Sequence, residues 1–243
     1  MKTASKDSEQ LALSRAVNIP SGRVRLEGEL KIPAGASGVV LFAHGSGSSR
    51  HSPRNQFVAR VFRDSGNGTL LFDLLTREEE IEDEITRRLR FDIGLLAQRL
   101  ADATRWLIAQ PLASRLGIGY FGSSTGGGAA LVAAAELGQC VGAVVSRGGR
   151  PDLAANALPR VQSPTLLIVG EYDDAVIRLN EEALVRLRCE KQMKIVPRAT
   201  HLFEGKARST KWRAWRRTGF DNTCAPARKL THEPSMRPLT PSP

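Results

Sequence analysis

A serine, an aspartate and a histidine that together could open an acyl bond occur in that order along this chain, as Ser124, Asp173 and His201. A serine hydroxyl is a weak nucleophile at neutral pH, because its proton must leave as it attacks. A histidine within hydrogen-bond reach can take that proton. A carboxylate on the far ring nitrogen fixes the tautomer and stabilises the imidazolium. Ser124 stands in Gly122-Ser123-Ser124-Thr125-Gly126, a G-x-S-x-G pattern. That pattern alone also describes a flexible Gly/Ser turn, so its context decides. Leu116, Ile118, Tyr120 and Phe121 read as a short buried strand before it, and an Ala-rich run reads as a helix after it. The spacing therefore predicts a nucleophile elbow, with the hydroxyl above a helix N-terminus whose free N–H groups suit a developing oxyanion.

Asp173 follows the apolar run LLIVGEY, and Asp174 beside it is an alternative acid. Asp173 lies nearer the strand end and is expected to reach the site first. Of the four histidines, His201, after MKIVPRAT, is the best placed as base. His44 opens the small-residue loop His44–Ser48, where backbone N–H groups can approach a substrate carbonyl; His51 lies in a polar loop and His232 in the tail. Arg50, Arg54, Arg147 and Arg150 all follow strand ends. Guanidinium groups bind carboxylate or phosphate through paired hydrogen bonds, so these four are candidates for binding an anionic substrate; plain surface charge is the competing reading.

The elements that must carry these residues alternate. VRLEGELKIPAG (24–35) suits an antiparallel edge strand. GVVLFA (38–43) and GTLLF (68–72) are continuous apolar runs, as in strands covered on both faces. Residues 55–62 and 93–110 have helical spacing, and 76–91 is a charge run that reads as an exposed loop or a solvated helix face. Strands are expected at VGAVVSRGG, at SPTLLIVG and at MKIV, and a helix over 180–188. Alternation of this kind predicts an α/β fold with a mostly parallel, doubly wound sheet flanked by helices. Functional groups in such a sheet collect beyond the carboxyl ends of the strands.

With 243 residues the chain is long enough for one α/β domain. The net charge of +10 suggests nucleic acid, but its distribution does not: residues 205–243 hold nine Lys/Arg and two Asp/Glu, leaving 26 basic and 23 acidic groups in the rest. No aromatic-plus-basic stacking motif interrupts that body, so neither a nucleic-acid partner nor a membrane is expected. Three widely spaced cysteines form no disulfide framework or metal pattern, and the first residues lack an apolar leader, so the cytoplasm is the expected compartment, with no metal or other cofactor. The expected organisation is a flexible N-terminus over 1–16, a domain over 17–204 and an atypical basic, Pro-containing tail over 205–243, expected to be disordered. That tail has no apolar stripe as written. Read in a shifted frame, Ser209, Trp212, Trp215, Phe220 and Cys224 would become apolar at helical spacing, as in a frameshifted closing helix.

HGSGSSRHSPRN (44–55), GYFGSSTGGG, SRGGRPDL (146–153), LLIVGEYDDAV (166–176) and ATHLFE (199–204) together resemble the α/β-hydrolase superfamily, in its dienelactone hydrolase-like branch. The resemblance covers about residues 24–203. It implies a minimal hydrolase without a large lid domain, with Ser124 as nucleophile, Asp173 as acid and His201 as base. It implies an oxyanion hole from the N–H groups of Ser46 and Thr125. Similar domains occur fused to or near phosphoribosyltransferases, which makes such a protein a conceivable partner. Two departures stand out: dienelactone hydrolases proper use a cysteine where this chain has Ser124, and the helix that closes the superfamily is not evident after Glu204. The expected activity is hydrolysis of an ester, thioester or lactone of a small substrate. The competing expectation is a non-catalytic accessory or binding domain on the same fold.

Overall fold

The computed structural model describes residues 11–203. The expectations for residues 1–10 and for the tail after Phe203 lie outside the described residues. Among the described residues eight strands form one sheet in the order β1-β2-β4-β3-β5-β6-β7-β8. They are β1 (Leu11–Ser21), β2 (Val24–Pro33), β3 (Gly38–Ala43), β4 (Gly68–Phe72), β5 (Gly117–Ser123), β6 (Ala143–Arg147), β7 (Thr165–Gly170) and β8 (Lys191–Val196). β1 pairs antiparallel with β2, and β2 antiparallel with β4; every other pairing is parallel. The helices are α1 (Pro53–Arg63), α2 (Arg77–Thr86), α3 (Ile93–Ile108), α4 (Thr125–Leu137) and α5 (Asp174–Arg186).

β3, β4, β5 and β6 are buried along their whole length, as continuous apolar runs covered on both faces require. Two apolar clusters lie on the two faces of the sheet. The larger includes Leu100, Leu107, Tyr120, Ala130, Leu167 and Ala183, under α3, α4 and α5. The smaller gathers Val40, Phe42, Phe121 and Ile168 against Val58 and Ala59 of α1. The Tyr120 hydroxyl, wholly buried in the larger cluster, is satisfied by Thr104 Oγ1 at 2.6 Å.

Three sequence expectations need correction. Residues 11–16 belong to a strand rather than to a flexible start, because Leu13 to Ala16 pair in register with Ile32 to Glu29 of β2, ahead of the alternately buried Val17, Ile19 and Ser21. β2 is consequently an interior strand, not the edge. Helix α5 begins at Asp174 rather than Asn180, with Asp173 as its N-cap residue. The charge run 76–91, by contrast, takes the second of its two expected forms, a largely solvated helix over Arg77–Thr86: Thr76 Oγ1 accepts from the Glu79 N–H at 3.3 Å, and the Glu79 carboxylate accepts from the Thr76 N–H at 2.8 Å. This capping box fixes where α2 starts.

Candidate active site

β5 ends at Ser123, α4 begins at Thr125, and Ser124 alone makes the turn between them. Its φ is +51°, a value that side chains with a Cβ rarely adopt. The turn is possible because its glycines let backbone pack on backbone. A Cβ at Gly122 would lie 2.5 Å from the Gly126 carbonyl oxygen, and one at Gly126 would lie 2.0 Å from the Ala43 carbonyl oxygen. The strain therefore raises Ser124 at the carboxyl edge of the central strand, half-buried, on the first turn of α4.

The turn after β6, residues 147–150, is the floor of the site. The Ser124 N–H donates to the Arg147 carbonyl at 3.3 Å, and the Arg150 N–H donates to the Ser124 carbonyl at 3.0 Å. Gly148, at φ +51°, underlies His201: a Cβ there would lie 3.5 Å from both Cε1 and Nδ1 of the ring. The nucleophile and base candidates thus rest on one turn. His201 Nδ1 stands 2.6 Å from Asp173 Oδ2, with the imidazole about two-fifths exposed and the carboxylate largely buried. Asp174 is exposed in the first turn of α5. Among the described residues no hydrogen bond joins Ser124 Oγ to His201.

Ser46 comes to the elbow from the loop after β3. Its hydroxyl lies 3.1 Å from Thr125 Oγ1, so the two residues expected to form the oxyanion hole are in contact. His44 is buried behind this loop. Its Nδ1 lies 3.1 Å from the Gly45 carbonyl, and its Nε2 accepts from the Leu74 N–H at 3.1 Å. Burial pushes its pKa below the usual 6.5, outweighing the Gly45 carbonyl and Asp73, which favour the charged form. The neutral ring therefore serves as a strut between β3 and the segment after β4. A cavity of about 270 Å³ opens beside it, lined among others by Ser46, Thr125, Leu74, Glu80, Glu84 and Arg90. Burial, reinforced by Asp73, raises the pKa of Glu80.

The four arginines are in different situations. Arg50 is engaged by the Asp73 carboxylate, and its Nη2 lies 2.6 Å from Glu27. Arg150 grips Asp152 through Nε and Nη2 at 2.8 and 2.7 Å. Arg147 is buried with its guanidinium 5.5 Å from the ring centres of both Phe121 and Phe203. Burial first, and then the charge of Arg54, lower its pKa to about 10. Among the described residues no carboxylate pairs with Arg147. Sequence reasoning did not single out Asp73 or Asn180. The first ends the apolar run GTLLF at the carboxyl edge, and that position was its available signal.

The profile of the dienelactone hydrolase family matches residues 26–222. A crystal structure of a dienelactone hydrolase from Anabaena variabilis is similar at 59% identity, with a TM-score of 0.82, over 85% of this chain and 96% of that one. A dienelactone hydrolase-like promiscuous phosphotriesterase from metagenomic libraries shares the fold at 22% identity and a TM-score of 0.67, over 84% of this chain and 95% of that one. Two Mycobacterium tuberculosis proteins, from strains CDC 1551 and H37Rv and named as phosphoribosyl transferases, are each 55% identical over 188 residues, 77% of this chain. The chain spans 42% of the length of those relatives. The fold is that of the α/β hydrolases, and the chain belongs to the dienelactone hydrolase family.

Proposed function

We propose that the protein is a serine hydrolase that cleaves an ester, thioester or lactone of a small substrate through an acyl-enzyme. The observation that carries this reading is the strained Ser124, held on the turn that also underlies the Asp173-paired His201. Ser124 Oγ attacks the carbonyl carbon while His201 Nε2 takes the hydroxyl proton. The Asp173 carboxylate accepts from Nδ1–H and stabilises the imidazolium. The N–H groups of Ser46 and Thr125 receive the developing oxyanion. His201 then protonates the leaving group, and a water activated by the same histidine releases the acid. The lack of a Ser124–His201 hydrogen bond among the described residues is compatible with this sequence, since catalytic hydrogen bonds tighten around substrate.

A fluorophosphonate probe tests the assignment, because it labels only an activated serine. The wild-type chain is expected to label at Ser124 and to hydrolyse p-nitrophenyl esters. Ser124→Ala should lose both while melting within a few degrees of wild type. Near-wild-type turnover by Ser124→Ala would remove the nucleophile. A folded wild-type chain that neither labels nor turns over any ester, thioester or lactone tried would favour the accessory-domain reading instead.

Arg147 supports an anionic substrate, since its buried charge lacks a carboxylate among the described residues and Arg54 adds to the field beside it. Arg50 and Arg150 already hold carboxylates and contribute little free charge. Comparing kcat/KM for a carboxylated ester and its methyl analogue, in wild type and in Arg147→Ala, decides the point; equal values throughout would remove it. The names of the longer relatives support a phosphoribosyltransferase as a partner, to be tested by co-purification with such an enzyme. The free thiols Cys140 and Cys189 are compatible with a reducing cytoplasm.

A further inference from the structure

Asn180 is wholly buried in the middle of α5, yet only half of its carboxamide is satisfied. Its Nδ2 donates to the Val176 carbonyl at 2.8 Å and to the Gly149 carbonyl at 3.0 Å, whereas its Oδ1 has no partner among the described residues. A buried carboxamide with an orphaned oxygen is a poor choice for packing alone, because an aliphatic residue of similar volume would leave no polar atom unpaired. The bond it provides in exchange reaches 31 residues back along the chain, to the turn after β6.

Each proposed catalytic group is tied to one end of that bond. The helix that carries Asn180 is N-capped by Asp173, the partner of His201. The turn that Asn180 holds is the one bonded to both the N–H and the carbonyl of Ser124, and Gly148 within it stands against the His201 ring. Nearby, the fully buried Ser146 hydroxyl is also without a partner among the described residues. It occupies the space a Cβ at Gly149 would need, at 1.9 Å, and so fits closely against the turn. Within 147–150, the Gly148 N–H donates to Ile168 of β7 and the Arg150 N–H to Ser124. The Asn180 bond to Gly149 connects this turn to the helix bearing the acid.

We propose that Asn180 is a positioning residue: its carboxamide locks the acid-bearing helix to the turn under the nucleophile and so sets the distance between Ser124 and the His201–Asp173 pair. This rests on the hydrolase reading above. It follows that loss of the bond leaves the Asp173–His201 contact in place while Ser124 drifts relative to the imidazole. Misplacement of that kind acts on the chemical step rather than on substrate capture, and small displacements of reacting groups are costly.

The test compares wild type, Asn180→Leu and Ser163→Ala. The last removes another buried side-chain-to-carbonyl bond, Ser163 Oγ to Val141, remote from the carboxyl edge. In Asn180→Leu, kcat on a p-nitrophenyl ester and the rate of fluorophosphonate labelling should both fall about 10- to 100-fold, with KM changed by less than about twofold. The downfield proton resonance of the His201–Asp173 hydrogen bond should persist. Ser163→Ala should lower the melting temperature without touching kcat. An Asn180→Leu protein that behaves like Ser163→Ala, melting lower but turning over at the wild-type rate, overturns the proposal. If the leucine variant does not fold, Asn180→Asp takes its place. A protonated carboxyl can donate to Gly149 and a carboxylate cannot, so the ratio of its kcat to that of wild type should fall as pH rises through the titration of the new group. A folded Asn180→Asp protein with a pH-independent ratio is the other contrary result. Wild type that neither labels nor turns over sinks the hydrolase reading, and this inference with it, whereas active wild type beside an equally active Asn180→Leu sinks the inference alone.

Discussion

Ser124 stores strain at φ +51°, and its glycine neighbours are what allow the chain to keep it there. Gly126→Ala would drive a Cβ to 2.0 Å from the backbone oxygen of Ala43, and backbone at the centre of a sheet cannot give way as a flexible side chain can. We expect this substitution to cost roughly 3 to 5 kcal/mol, at the diagnostic end of single-residue effects. A urea melt measures it, and a loss below about 1 kcal/mol would mean that the elbow is less tightly packed than described. The choice between two adjacent acids is made at the same scale. Asp173 lies against His201 while Asp174 is exposed in the first turn of α5. Asp173→Asn should therefore lower kcat by about 10²-fold or more, and Asp174→Asn by less than about twofold, in the same ester assay. The reverse ranking would reassign the acid.

Helix α2 shows how an element of low sequence hydrophobicity is held in place. Its capping box orders the first turn, and Glu79 then accepts from Arg99 of α3 through both oxygens, at 2.6 Å each. Arg99, almost wholly buried, also donates to the Leu74 carbonyl at 2.6 Å. Removing the arginine would leave the Glu79 carboxylate with the Thr76 N–H but no countercharge, and would take the arginine donor from the Leu74 carbonyl. Arg99→Met is expected to destabilise by about 3 kcal/mol, and Glu79→Gln by less, because glutamine keeps the cap. Chemical melts of the two variants check the order. This tie was not legible in the sequence, where the run TREEEIEDEITRRLRF shows only charge. The elbow was legible, because the whole strand–turn–helix unit is local and its glycines are diagnostic. β1 was missed because Ser14, Arg15 and Asn18 dilute its alternation, and only the bonded neighbour β2 makes it a strand. Which arginine carries free charge was hidden for a related reason: Arg50 is neutralised by Asp73 and Glu27, each 23 residues away. Residue types and short spacings could be read directly, whereas long-range pairing could not.

For the whole molecule, the balance of buried charge sets how the fold responds to acid, and two of the groups involved begin to act at different pH. Burial keeps His44 neutral, with its pKa below the usual 6.5. The unfolded chain protonates this residue below pH 6.5 while the native chain does not. The unfolded state then binds more protons, and stability falls as pH drops until the native pKa is reached. Above pH 6.5 both states are neutral and the residue has no effect. Glu79 behaves as a held carboxylate: the Arg99 hydrogen bond keeps its pKa below the usual 4.5, outweighing burial. Its contribution is fully present above pH 4.5 and is lost as pH falls through the native value. The melting temperature of the wild-type chain should therefore decline on acidification, a first step from His44 beginning just below pH 6.5 and a second from Glu79 joining it below pH 4.5. His44→Gln can donate to Gly45 and accept from Leu74 without titrating, so it should flatten the first step and leave the second. Arg99→Met releases Glu79 and should flatten the second while leaving the first. Melts of the three proteins across the acid range test this, and a His44→Gln curve parallel to wild type just below pH 6.5 would show that the buried imidazole is not what the acid reaches first.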